Sequence, residues 1–161
     1  MRAARCNQYG PPESIVLEDQ PEPQPAAGEV VVAIRAASIN YPDVLIAANR
    51  YQVSVPVPFT PGSEFAGVVV ATGSGVDDPK PGDAVRGAWM SGAFAERIAV
   101  PAHALTPVPD GMTFTDAASF GVTGRTAYSA LRSVAEARAG EWVAVLGAAG
   151  GVGSAALDVA R

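Results

Sequence analysis

Apolar and polar positions along the chain follow two regimes. Up to about residue 107 the apolar residues form short runs cut by glycine and proline; beyond residue 113 they are spaced for helices, apart from one unbroken run over 142–146. In the first regime, residues 2–9 and 14–19 predict two short strands joined by a turn at Gly10-Pro11-Pro12. Pro21, Pro23 and Pro25 predict an extended surface connection, which reads as an inter-strand loop rather than a ligand for a proline-recognising partner. Residues 29–36, with Val30, Val31, Val32 and Ile34, predict a strand. Residues 38–51 predict a short helix with Pro42 at its first position and Asp43 beside the helix dipole. Further strands are expected over 65–71, 84–86 and 93–100, the last with Glu96 and Arg97 at a sheet edge. In the second regime, Thr113 and Asp116 resemble a capping box before residues 117–121, and a longer helix is expected over 123–137.

The last twenty residues organise the reading. Residues 142–146, WVAVL, form an unbroken apolar run of the kind expected of a strand buried on both faces of a parallel sheet. A glycine-rich turn over 147–153 follows, and then Ala155, Ala156, Leu157, Val159 and Ala160 fit a helix. Strand, glycine turn and helix in that order open a dinucleotide-binding βαβ unit. Gly150 would let the backbone approach a pyrophosphate, Gly153 would let helix pack on strand, and the helix N-terminus would meet the anion. The first glycine of that motif is replaced by Ala148, and the motif alone fits an ordinary small-residue turn equally well. Strands with Gly/Pro turns followed by a βα unit imply an all-β domain and the beginning of an α/β domain. One parallel strand with one helix cannot make a doubly wound sheet, so the chain is expected to be a fragment or to have its sheet completed by something else.

Bulk composition narrows the function classes. The chain has 161 residues, 48% of them hydrophobic, and a net charge of −5 without a basic cluster, which argues against nucleic acid or anionic membrane as a partner. Cys6 is the only cysteine, so no internal disulfide forms, and a reducing, cytoplasmic setting is expected. No apolar run approaches the roughly 18 residues of a membrane span. Cys6 reads as a small buried strand residue and His103 as a loop or edge residue.

Several stretches, in this order and spacing, carry a resemblance. They are Tyr9-Gly10-Pro11-Pro12-Glu13, Gly28-Glu29-Val30, Ser38-Ile39-Asn40-Tyr41-Pro42-Asp43, the run FTPGSEFAG over 59–67, and Ala148-Ala149-Gly150-Gly151-Val152-Gly153. With them the chain resembles the zinc-free quinone oxidoreductase (zeta-crystallin-like) branch of the medium-chain dehydrogenase/reductase superfamily. The resemblance implies a mixed fold: a GroES-like β-barrel domain over 1–122 that holds substrate, then over 123–161 a linking helix and the first strand and helix of a Rossmann domain. It implies NADPH as coenzyme, a small quinone or enone as substrate, and a homodimer when full length, since family members are substantially longer. The chain lacks the second Rossmann strand, whose groups distinguish NADP from NAD.

The resemblance also assigns residues. Zinc-dependent relatives place ligands where this chain has Asn40, Ser63 and, nearby, Val122; these are not usual zinc ligands, so no metal is expected. Asn40 and Tyr51, at either end of the short helix, match positions that line the substrate pocket and are candidate catalytic donors to the oxygen that becomes negative as hydride arrives. A further family tyrosine falls on Leu45, so one pocket donor is gone. Thr126 matches a threonine beside the nicotinamide, and Ala149, Gly150, Gly151, Val152 and Gly153 form the coenzyme turn. Glu64 reads as a structural carboxylate hydrogen-bonded at its turn. Competing readings are an enoyl-thioester reductase sharing the zinc-free pocket, and a truncated, non-enzymatic GroES-like binding module.

Overall fold

The computed structural model describes residues 1–161. By its internal contacts the chain divides into two compact units, Met1–Ser119 and Phe120–Arg161.

In the first unit, β1 (Arg2–Arg5) and β2 (Val16–Asp19) pair antiparallel as a two-stranded ribbon. A second sheet is built from β3 (Glu29–Ser38), β4 (Glu64–Thr72), β5 (Ala84–Ala88), β6 (Arg97–Pro101) and β7 (Leu105–Pro107). Its order is β6-β3-β4-β5-β7, every neighbouring pair antiparallel. Val30, Val32, Phe65, Val69, Val85 and Val100 interlock as its buried core, the burial that makes such β-branched runs strands. The expected barrel is an open sheet. A bridge from Ala3 to Ala95 ties the ribbon to the segment leading into β6, and β7, three residues long, pairs with β5 alone. The expected strand over 93–100 is shorter, because Gly92, Ala93 and Phe94 give their N–H groups to the loop carbonyls of Thr60, Gly62 and Pro61 instead. β6 is an edge strand, as expected of Arg97, which pairs with Glu22.

Helix α1 (Tyr41–Ala47) connects β3 towards β4. Its inner face, Ile46 and Ala47, packs with Cys6 and Phe59 in a second apolar cluster that Tyr51, Val55 and Val57 border. Cys6 is fully buried, and burial pushes its thiol pKa up.

Helix α2 (Phe114–Tyr128) starts at the expected cap: the Thr113 hydroxyl accepts from the Asp116 N–H at 3.1 Å and donates to its carboxylate at 2.7 Å. Its first turn buries Ala117 and Ala118 on Ala66, which places the start of the helix in the first unit. The two helices expected over 117–121 and 123–137 are one helix extended by a π-helical turn, Ser129–Val134. Gly121 does not break it, and at Gly124 the absent side chain makes room for the Phe120 ring one turn earlier. Glu136, in the left-handed region at φ 52°, ends it.

Residues 142–146 are not a strand. They have no ladder partner, and Trp142 and Leu146 are 101% and 95% exposed. A parallel strand is stabilised by its neighbours' hydrogen bonds and by the layers covering it, and no other strand of the chain pairs with this segment. The turn and helix that follow are formed: α3 spans Gly151–Ala160, with Gly150 as its N-cap. No helix is long and apolar enough to cross a membrane.

Candidate functional site

The end of β3 and the start of β4 are opposite each other, with Ser38 facing Glu64 in the register. Glu64 is almost wholly buried. Its Oε2 accepts from the Ser38 hydroxyl at 2.8 Å and from the Asn40 amide Nδ2 at 2.9 Å. The same Nδ2 also donates to Ser38 Oγ at 3.1 Å. Glu64 is therefore a hydrogen-bonded structural carboxylate, as its place in the turn suggested.

Two residues on, the chain turns into α1. Asn40 is the N-cap, in extended conformation, and Pro42 lies in the first turn, where its missing N–H leaves no helix bond unmade. The Asn40 main-chain N–H donates to Asp43 Oδ2 at 2.7 Å, while the Asp43 N–H returns to the Asn40 carbonyl at 3.0 Å. Asp43, in the first turn of α1, is buried. Burial raises its pKa above the ordinary 3.8, opposed by the Asn40 N–H and the Ser63 hydroxyl and reinforced by the charge of Glu64. The pairing of Asp43 with Glu64 is the feature that sequence reading missed. The register that sets Ser38 against Glu64 and so gathers both carboxylates is a tertiary fact.

Tyr51 follows the C-terminal end of α1 and is half-buried at the border of the Cys6–Ile46–Phe59 cluster. Its hydroxyl accepts from Gln52 Nε2 at 3.5 Å, a long contact that leaves its own hydrogen available. No hydrogen bond joins it to Asn40, whose amide is engaged by Glu64 and Ser38. Exposed apolar side chains flank Asn40, namely Ile39 and Tyr41, and two more, Trp89 and Met90, follow β5. The Trp89 N–H donates to the Ser63 carbonyl at 2.8 Å, which holds this pair beside the carboxylate turn.

In the second unit the Thr126 hydroxyl donates to the Val122 carbonyl one turn back, at 2.6 Å. Its oxygen can still accept, but its hydrogen is taken by the helix. The glycine turn is built for close approach. Gly147 has φ 69°, the Gly150 N–H returns to the Gly147 carbonyl at 2.9 Å, and a Cβ at residue 153 would run into that carbonyl and lie 2.8 Å from Ala148 Cα. A methyl at residue 151 would lie 2.9 Å from Thr123 Cγ2. Gly153 is buried, while Ala149, Gly150, Gly151 and Val152 are exposed, and no side chain caps the helix. The first N–H groups of α3 thus remain for an anion, which fits the diphosphate of a dinucleotide.

The pattern of the alcohol dehydrogenase GroES-like domain matches residues 26–110. The chain is 38% identical over 163 residues to a quinone oxidoreductase of Lama guanicoe, covering 100% of this chain and 49% of that protein. It is 46% identical over 141 residues to the pikromycin polyketide synthase component PikAII of Streptomyces venezuelae, covering 88% of this chain and 4% of that protein. Among solved structures it is similar to the quinone oxidoreductase of Thermus thermophilus, whose complex with NADPH is also known. The TM-score is 0.86 at 40% identity, over 100% of this chain and 50% of that one. The chain spans about half the length of the quinone oxidoreductases it matches. With a GroES-like pattern over more than half its length, the chain belongs to the alcohol dehydrogenase GroES-like family.

Proposed function

We propose that this chain is the substrate-side domain and coenzyme turn of an NADPH-dependent oxidoreductase that reduces quinones or other α,β-unsaturated carbonyl compounds without zinc. The observation that carries this reading is the similarity of the whole of this chain to about half of quinone oxidoreductases, one of them known in complex with NADPH. Residues 1–122 hold the substrate, and residues 123–161 supply the linking helix and the turn under the coenzyme diphosphate. NADPH, when bound, supplies the hydride.

The chain's own residues do the rest. Ala149, Gly150, Gly151, Val152 and Gly153 offer main-chain N–H groups to the diphosphate, and Thr126 offers its oxygen to the nicotinamide side. As hydride reaches the conjugated carbonyl compound, negative charge grows on its oxygen, and without a metal that charge is met by hydrogen-bond donors. Tyr51 supplies a neutral O–H, and Asn40 lies in the same pocket. Zinc needs about three N, S or carboxylate ligands, and Asn40, Ser63 and Val122 supply no usual one. A homodimer completes the picture carried by the resemblance.

Tyr51→Phe keeps the ring and deletes the hydroxyl. It is expected to lower kcat for quinone or enone reduction about a hundredfold while leaving NADPH affinity nearly unchanged. Wild-type kcat in the variant on every quinone and enone tried would remove Tyr51 from the mechanism. A second reading, an enoyl-thioester reductase, is favoured by the similarity to a polyketide synthase component. A kcat/KM for enoyl thioesters well above that for quinones selects it.

A further inference from the structure

Tyr9 belongs to a firmly held segment and reaches out to a loosely held one. Its own segment is fixed by main-chain bonds: Cys6 exchanges two with Phe59, at 2.8 and 3.2 Å, and the Gly10 N–H donates to the Ala47 carbonyl at 3.0 Å. From this base the Tyr9 hydroxyl crosses to the loop that follows α1. It donates to the Val55 carbonyl at 2.9 Å, and its oxygen lies 3.2 Å from Ser54 Oγ. Ser54 gives its own hydrogen to Asn49 Oδ1 at 2.8 Å. Asn49, in the left-handed region at φ 52°, stands just past the end of α1, a position where that conformation stops a helix. Tyr9, Ser54 and Asn49 thus close the loop at its base, and Tyr51 lies between the closing residues.

Little else holds this loop. From Tyr51 to Pro58 no main-chain N–H donates to a main-chain carbonyl, and Gln52, Val53 and Ser54 are exposed. The Tyr51 ring borders the Cys6–Ile46–Phe59 cluster, but apolar contact is non-directional and does not fix where the hydroxyl points. That hydroxyl meets Gln52, its neighbour on the same loop, at 3.5 Å. The frame that aims Tyr51 is therefore the closed base. We infer that Tyr9 is a positioning residue for Tyr51, tethering through Val55 the loop that presents the Tyr51 hydroxyl. This role rests on the reading of Tyr51 as donor to the substrate oxygen, since a donor is effective when its place is set before the charge develops. Tyr9 itself acts at a distance from the chemistry.

Trypsin and turnover together test the tether. Arg50, exposed and adjacent to Tyr51, offers a cleavage site at the base of the loop, whereas Arg86 lies within β5 and is cut when the sheet opens. Tyr9→Phe keeps the ring and deletes the tie to Val55. Loss of one ordinary hydrogen bond should speed cleavage after Arg50 about fivefold and leave cleavage after Arg86 as it was. The variant should lower kcat for quinone reduction by a similar factor, and in a Tyr51→Phe background it should lower kcat no further. A general loss of structure would instead reduce kcat in both backgrounds. Unchanged cleavage after Arg50, an equal rise after Arg86, or the same kcat loss with Tyr51 already replaced overturns the assignment of Tyr9 and leaves the role of Tyr51 standing. Wild-type kcat in Tyr51→Phe itself overturns both.

Discussion

At Asp43 a helix cap and a burial penalty act on the same carboxylate. Its Oδ2 satisfies the Asn40 N–H, yet it is buried near the charge of Glu64 and its pKa is raised above 3.8. The folded state therefore holds the proton more tightly than the unfolded chain. The stability from this group is fully present below about pH 3.8 and is lost as pH rises through the raised folded value. Asp43→Asn keeps an oxygen for the cap and cannot ionise. Relative to wild type the variant should gain stability between acid and neutral pH, with the difference levelling off in strong acid. Urea unfolding midpoints for both proteins across that range measure this, and a difference independent of pH would refute it. Chain order makes Asn40, Asp43 and Glu64 visible as candidates, and Glu64 is legible as a structural carboxylate. The proximity of the two carboxylates is not legible, nor is the direction of the Asn40 amide, because both depend on which residue of β4 faces Ser38.

Strands β3 and β4 share the longest ladder in the molecule, with a shift in register between Ile34 and Ala36. Gly67 lies opposite Ile34 at that shift. A Cβ there would run into the Ala33 carbonyl and lie 3.0 Å from Ile34 Cα, both main-chain atoms with little room to yield. Gly67→Ala is therefore expected to destabilise the first unit by about 3 kcal/mol, readable as a lowered unfolding midpoint in urea. An unchanged midpoint would mean that the strands slide apart without strain. A lone glycine inside a strand pattern is a sequence signal for such close approach, and Gly67 is open to that reading. Elements fixed by local chemistry are legible to within a few residues: the Thr113–Asp116 cap, the proline at the start of α1, the glycine turn before α3. Residues 142–146 mislead because apolar composition shows that a segment suits a buried strand but cannot supply the partner that makes it one.

At the scale of the whole molecule, the chain carries an antiparallel β unit and a second unit with the glycine turn and helix α3, the proposed contribution to a coenzyme site. The acidic residue that reads the adenosine ribose in such folds lies about 20 residues beyond the glycine turn, whereas these residues run to Arg161. What the chain offers a dinucleotide is the set of free N–H groups at the start of α3, on the exposed residues Gly151 and Val152. Hydrogen bonds made in water contribute roughly 0.5–1.5 kcal/mol each, and loss of the ligand's translational and rotational freedom opposes them with several kcal/mol. Residues 1–161 alone should therefore bind NADPH in the millimolar range or weaker, and Gly153→Ala, which forces the turn away from α3, should abolish what binding there is. Calorimetry on the 161-residue chain decides the matter. Micromolar affinity would show that the turn and helix α3 hold the coenzyme without a sheet beneath them.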